Sequence, residues 1–290
     1  MLAAPAAAQQ VLDGCPPAGW TPAGLEALKA DTFAIENPST RRTLAIGLTA
    51  CLGDPNPALR DTIAFEALST WMRAGVLDRP TLIELRDRLL PMLTSPDAQG
   101  FRAPFAAIVL AEVARTDRIA AWLSAEEREL LVQAAAAYLA NVRDYRAFSD
   151  REGFRHGVAH GADFALQLGL NPAVTKPQLD RLLAAIATQV APRQLVSYGA
   201  GEPDRLARPV LFIAQRGQHT DDEWKGWFGH VLSPNPLSEW DQAFLSETGL
   251  AKRHNTRAFL LSLYASAASS ENAGARQLLP PIREGLKLVP

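Results

Sequence analysis

Several residue types are scarce in this chain of 290 residues. It has 2 cysteines, 3 methionines and 5 histidines, and 7% of its residues are aromatic. Neither sign of charge is in surplus, since 29 Lys and Arg face 31 Asp and Glu for a formal net charge of -2. Binding to a phosphate backbone needs a basic surplus, and no basic block is present, so the composition argues against nucleic acid as a partner. Long apolar runs are missing as well. The best, Pro104 to Ala111, is stopped by Glu112, far short of the roughly 20 residues a membrane span requires. There is no Gly-rich phosphate loop, Gly-x-Ser-x-Gly elbow, His-Glu-x-x-His or Cys-x-x-Cys, which removes the commonest enzyme signatures. What remains, 48% hydrophobic and 21% charged, is the composition of a folded protein with a sizeable core.

The two cysteines, Cys15 and Cys51, admit two readings: a bridge pinning an N-terminal arm, as in an exported protein, or two small buried hydrophobes. Ala6-Ala7-Ala8 has the small-x-small pattern of a signal-peptidase site, without the charged and apolar regions that precede one. Residues 1–20 are therefore expected to be a flexible leader and the protein to be periplasmic or secreted, with a disordered Ala-rich tail on a cytoplasmic protein as the alternative.

Helix-start signals recur along the chain. Thr21-Pro22, Asn37-Pro38, Asn56-Pro57 and Arg79-Pro80-Thr81 open segments in the first third, and Ser124/Glu127, Ser149/Glu152 and Thr220/Glu223 have capping-box spacing. Between them apolar residues return at helical intervals, as in Leu82, Leu85, Leu89, Leu93 and in Leu179, Leu182, Leu183, Ile186, Val190. Strand-like alternation is nearly absent. Helices joined by short Pro- and Gly-rich turns should pack as antiparallel hairpins, and two helices with their turns come to about 40 residues, the period of HEAT and armadillo arrays. The expected fold is all-α, a HEAT-like α-solenoid forming one domain over residues 21–290, with an irregular bundle as the alternative. Two places resist the pattern: Pro209 would kink a helix and Val210 to Ile213 could be a buried strand, while Gln194 to Gly201 reads as a loop.

The most informative stretch runs from Ser149 to Phe164. Its capping box and the later Gly169 predict one helix, which would set His156, His160 and Asp163 along one face. Gly153, Gly157 and Gly161 form a second, bare stripe. Each glycine inside a helix costs about 1 kcal/mol relative to Ala, so a neighbouring helix or a ligand should approach the backbone there.

Phe154, His156, His160, Gly161, Ala162 and Asp163, preceded by Asp144-Tyr145-Arg146 and Phe148, resemble the signature of a bacterial family of unknown function, aromatic-x-His-x-x-x-His-Gly-Ala-Asp. Weaker matches are Asp204-Arg205-Leu206 and Asn255 to Tyr264. The chain departs from that family in having Phe154 for a common Trp, Arg155 for Ala and Ala147 for Gly. The resemblance implies a HEAT-like helical fold and no activity.

The His/Asp face has three readings. The three side chains could bind a divalent metal such as zinc and activate water for hydrolysis. They could form a metal-free pocket, with Arg146, Glu202, Asp204 and Arg205 contributed from neighbouring segments, for a small polar ligand or peptide. Or they could be structural, with the ring nitrogens satisfied between helices. His219, His230 and His254 stand isolated and read as surface or helix-end residues. Trp224, Trp227, Phe228 and Trp240 could form a stacking platform, although such spacing is more often core. The leading expectation is a binding or scaffolding protein of the cell envelope, with the metal-dependent hydrolase as its rival.

Overall fold

A computed structural model describes residues 14–290. The alanine-rich start that suggested a signal remnant lies outside the described residues. Among those described there are 13 α-helices, and the only strands are two of two residues each. The protein is all-α. No described helix is long and apolar enough to cross a membrane.

The residues gather into two compact units, the first of which runs to Trp122 and takes in residues Arg146–Gly157. It holds α1 (Pro22–Ala30), α2 (Pro38–Leu48) with a 3-10 turn at Thr49–Gly53, and a π-helix (Ala58–Phe65) leading directly into α3 (Glu66–Ala74). Next come α4 (Arg79–Met92), α5 (Arg102–Ile119) and a hairpin of β1 (Phe148–Ser149) and β2 (Gly153–Phe154). The starts are chemically legible: Thr21 Oγ1 accepts from Gly24 N–H, and Asn37 Oδ1 from Ser39 and Thr40. Helix α5 packs against both α3 and α4, burying Phe105, Val109, Leu110 and Val113. Each such side chain contributes roughly 1.5–3 kcal/mol on burial. Cys15 and Cys51 are joined by a disulfide. With Pro17 packed on Gly47 of α2, the described end of the expected leader is fastened to this unit.

The second unit comprises Leu123–Tyr145 and Val158–Pro290. Its helices are α6 (Ala125–Asn141), α7 (Gly157–Gly169), α8 (Lys176–Val190), α9 (Glu202–Gln215), α10 (Asp221–Val231), α11 (Glu247–Ala268), α12 (Ala273–Arg276) and α13 (Leu279–Leu288), with a 3-10 turn at Trp240–Leu245. Helix α6 lies against α8, α8 against α9 and α10, and α11 against α9 and α13. The predicted loop between α8 and α9 is irregular but fixed. Asn255 of α11 accepts from Tyr198 N–H at 2.8 Å and donates to the Val196 carbonyl at 2.9 Å, while the Tyr198 hydroxyl donates to Gln189 O.

Two local expectations need correction. Val210 to Ile213 is not a strand: it belongs to α9, where Leu206, Val210 and Ile213 are buried at helical spacing. Pro209 sits inside that helix and gives up one backbone bond, which the apolar face offsets. Second, Ser149 to Gly169 is not one helix, because α7 begins only at Gly157. Glu152 N–H does donate to Ser149 Oγ at 3.1 Å, but the bond closes a hairpin turn in which Phe148 pairs with Phe154 and Ser149 with Gly153. Gly153 has φ +71°, a left-handed conformation that ends any helix and suits glycine.

Candidate functional site

The late start of α7 removes His156 from the helix. It is the last residue before α7, with φ 58°, buried, its ring stacked on Phe154 at 4.6 Å between centroids. Holding a non-glycine residue in that region costs on the order of 1–3 kcal/mol. His156 belongs to the first unit, and His160 and Asp163, both buried on α7, belong to the second. The one-face geometry on which a three-ligand metal site rested is therefore not formed along a helix. Asp163 is occupied by Arg205 of α9, whose Nε donates to Oδ1 at 2.8 Å and whose Nη2 pairs with the other carboxylate oxygen. Among the described residues no group of three or more His, Cys, Asp or Glu side chains is placed to hold a metal ion, so this donor set does not fit one.

Of the accessory residues, Arg205 therefore does meet the face, at Asp163. Glu202 is buried at the first position of α9 and accepts from Ala200 N–H at 3.0 Å, Asp204 is exposed, and Arg146, in the first unit, donates to Gln99 O at 3.2 Å. The bare stripe is explained at Gly161, where a Cβ would meet Leu139 and Tyr138 of α6 at 2.9 and 3.0 Å. It was a helix, not a ligand, that needed the space.

A different site emerges in the second unit, where α8 and α10 enclose a cleft of about 650 Å³. Leu183, Ala184 and Ala187 of α8 and Trp224, Gly226 and Trp227 of α10 form its apolar walls. The two indoles meet at 88° with centroids 6.0 Å apart, and Trp227 is anchored by its Nε1–H bond to Leu183 O at 2.9 Å. One end is polar. His219 Nε2 lies 2.8 Å from Asp180 Oδ1, and Lys176 Nζ spans from Asp180 at 3.1 Å to Glu223 at 2.7 Å, tying α8 to α10. The Lys176 ammonium and the backbone N–H of Thr220 hold the Glu223 carboxyl down at about 2. His230 stands exposed at the rim.

Two glycines distinguish α10. Gly226 and Gly229 lie within a helix, where each costs about 1 kcal/mol, yet outside the helix's own backbone and the adjoining residues nothing lies within 4 Å of the place a Cβ would occupy. No packing demand explains them. Gly226 lines the cleft, and a side chain there would take up part of it.

A family model described as "Protein of unknown function (DUF2785)" matches residues 91–265. The chain belongs to the DUF2785 family. The match covers the Phe154 to Asp163 stretch, the Asp163–Arg205 pair and the whole α8/α10 cleft in this DUF2785 member. No curated protein and no solved structure matches the chain.

Little in the order of residues points to this cleft. Trp224 and Trp227 were visible as an aromatic group at helical spacing, but nothing local connects His219 to Asp180, 39 residues earlier. The two glycines in α10 were the usable signal, because they spend helix propensity where no turn is needed.

Proposed function

We propose that this protein is a small-molecule binding protein of the cell envelope, built on a HEAT-like stack of helical hairpins, whose ligand occupies the α8/α10 cleft. The observation that carries the reading is the cleft that Gly226 and two perpendicular indoles line. The ligand has one flat apolar face, an aromatic ring or the apolar face of a sugar, to lie on Trp227. Its polar edge faces Lys176, Glu223 and His230. The disulfide supports an oxidising compartment.

Screening aromatic acids, aromatic amines and monosaccharides by thermal shift and tryptophan fluorescence tests this. A hit should saturate, and binding should disappear in Trp227→Ala and in Gly226→Leu, which fills the cleft. Gly226→Leu should keep its helical circular dichroism. Undiminished binding in both variants would place the ligand elsewhere and overturn the assignment.

For the His160/Asp163 face the bidentate Asp163–Arg205 pair favours the structural reading, in which the carboxylate holds α7 to α9. It does not support a metal-dependent hydrolase.

A further inference from the structure

At the polar end of the α8/α10 cleft His219 uses one ring nitrogen and not the other. Nε2 lies 2.8 Å from Asp180 Oδ1. An ionised carboxylate only accepts, so the shared hydrogen sits on Nε2, and Nδ1 of the uncharged ring carries a lone pair. That nitrogen is enclosed and has no hydrogen-bond partner among the described residues. The Trp224 indole packs against the imidazole with centroids 4.9 Å apart, yet its own Nε1–H, likewise without a partner, does not supply the hydrogen. His219 is only 8% exposed and lines the cleft. A polar atom kept from water without a partner costs free energy, and a ligand that brings the partner recovers it.

We infer that the ligand of this cleft is a phenol, whose hydroxyl donates to His219 Nδ1. The inference rests on the cleft being the binding site and adds the chemical group that the site reads. Carboxylate and ether oxygens bring no hydrogen for Nδ1. A sugar brings several hydroxyls to walls of Leu183, Ala184, Ala187 and Trp227, whose apolar side chains leave most of them unpaired. A phenol has a single hydroxyl on a flat apolar ring, which matches one free acceptor in an apolar cleft.

Isothermal titration calorimetry of the full disulfide-bonded chain with p-cresol, p-methylanisole, p-toluidine and methyl glucoside tests the assignment. The cresol should bind tightest, about tenfold more tightly than its methyl ether, which keeps the ring and removes the hydrogen. His219→Gln retains a donor towards Asp180 and has no acceptor in the place of Nδ1. It should bring p-cresol down to the affinity of p-methylanisole and leave the ether's own affinity unchanged. His219→Asn, whose amide oxygen stands near the place of Nδ1, should keep part of the preference. In wild-type protein the nitrogen resonance of His219 Nδ1 should move upfield with p-cresol and not with p-methylanisole. Equal affinity for p-cresol and its ether, tighter binding of the amine or the glucoside, or a cresol preference that survives in His219→Gln overturns the inference. In each of these cases the cleft stays assigned so long as binding is lost in Trp227→Ala and Gly226→Leu. If none of the four compounds binds, the inference falls, and the wider ligand screen decides the cleft separately.

Discussion

Arg60 has no exposed surface, and its guanidinium reaches groups that no shorter side chain could serve. Nη1 donates to the carbonyls of Asp54 and Pro55 at 2.9 and 3.3 Å, Nη2 to that of Glu152 at 2.7 Å, and Nε lies 2.6 Å from Asp61. Phe101 and Phe105 sit over its plane at 3.9 and 4.9 Å. One side chain thus holds the hairpin turn to the π-helix, and the turn's left-handed Gly153 lies directly beside it. Burial pulls the guanidinium below its ordinary range and the Asp61 carboxylate opposes that. Arg60→Ala should destabilise by about 3 kcal/mol or more, because it leaves a partly buried carboxylate and three carbonyls without their donor. Lysine should rescue little, since one ammonium cannot span the same fork. Urea unfolding checks both, and an Arg60→Ala loss below about 1 kcal/mol would mean that water replaces the guanidinium.

At the scale of elements, caps were legible where a single side chain decides them. Ser124 and Glu127 form their capping box at α6, and Thr220 and Glu223 theirs at α10. The Ser149/Glu152 spacing forms the same kind of bond and yet no helix, because a distant arginine binds the Glu152 carbonyl and a left-handed glycine follows. A local rule fails there for a tertiary reason, and with it failed the one-face geometry of His156, His160 and Asp163. The Asn255 segment, one of the weaker family matches, was recognisable by its residues; that it secures the 194–201 loop required the fold. Helix α8 carries two acid-sensitive ties. Glu129 of α6 is held at about 2 by Gln178, Arg181 and Gln133, and Glu223 of α10 at about 2 by Lys176 and Thr220. A carboxyl depressed below its unfolded value, about 4.3, favours the folded state above that pH, and this contribution is lost as pH falls towards the folded value. The fluorescence of Trp227 should therefore change between about pH 4 and 2, and Glu223→Gln should remove part of the change. A Glu223 carboxyl resonance titrating near the ordinary value of about 4.3 would contradict the Lys176 tie.

For the molecule as a whole, composition excluded classes but could not divide the chain, since alternating helices and turns look alike whether they form one array or two compact units. The disulfide has a definite place in that division. Cys15 and Cys51 are 36 residues apart and both lie in the first unit, Cys51 fully buried beside Leu52 and Leu48. On the chain-entropy account a bridge closing a loop of that size stabilises by roughly 3–4 kcal/mol, by restricting the unfolded chain. Its loss should be felt locally. In reductant, or in Cys15→Ser, hydrogen exchange should quicken across α1, α2 and the Thr49–Gly53 turn, while the amides of α8, α10 and α11 keep their protection. Reduction should likewise leave ligand uptake in the α8/α10 cleft unchanged, because both cysteines lie in the first unit. Equal loss of protection in both units would show instead that the bridge stabilises the chain globally.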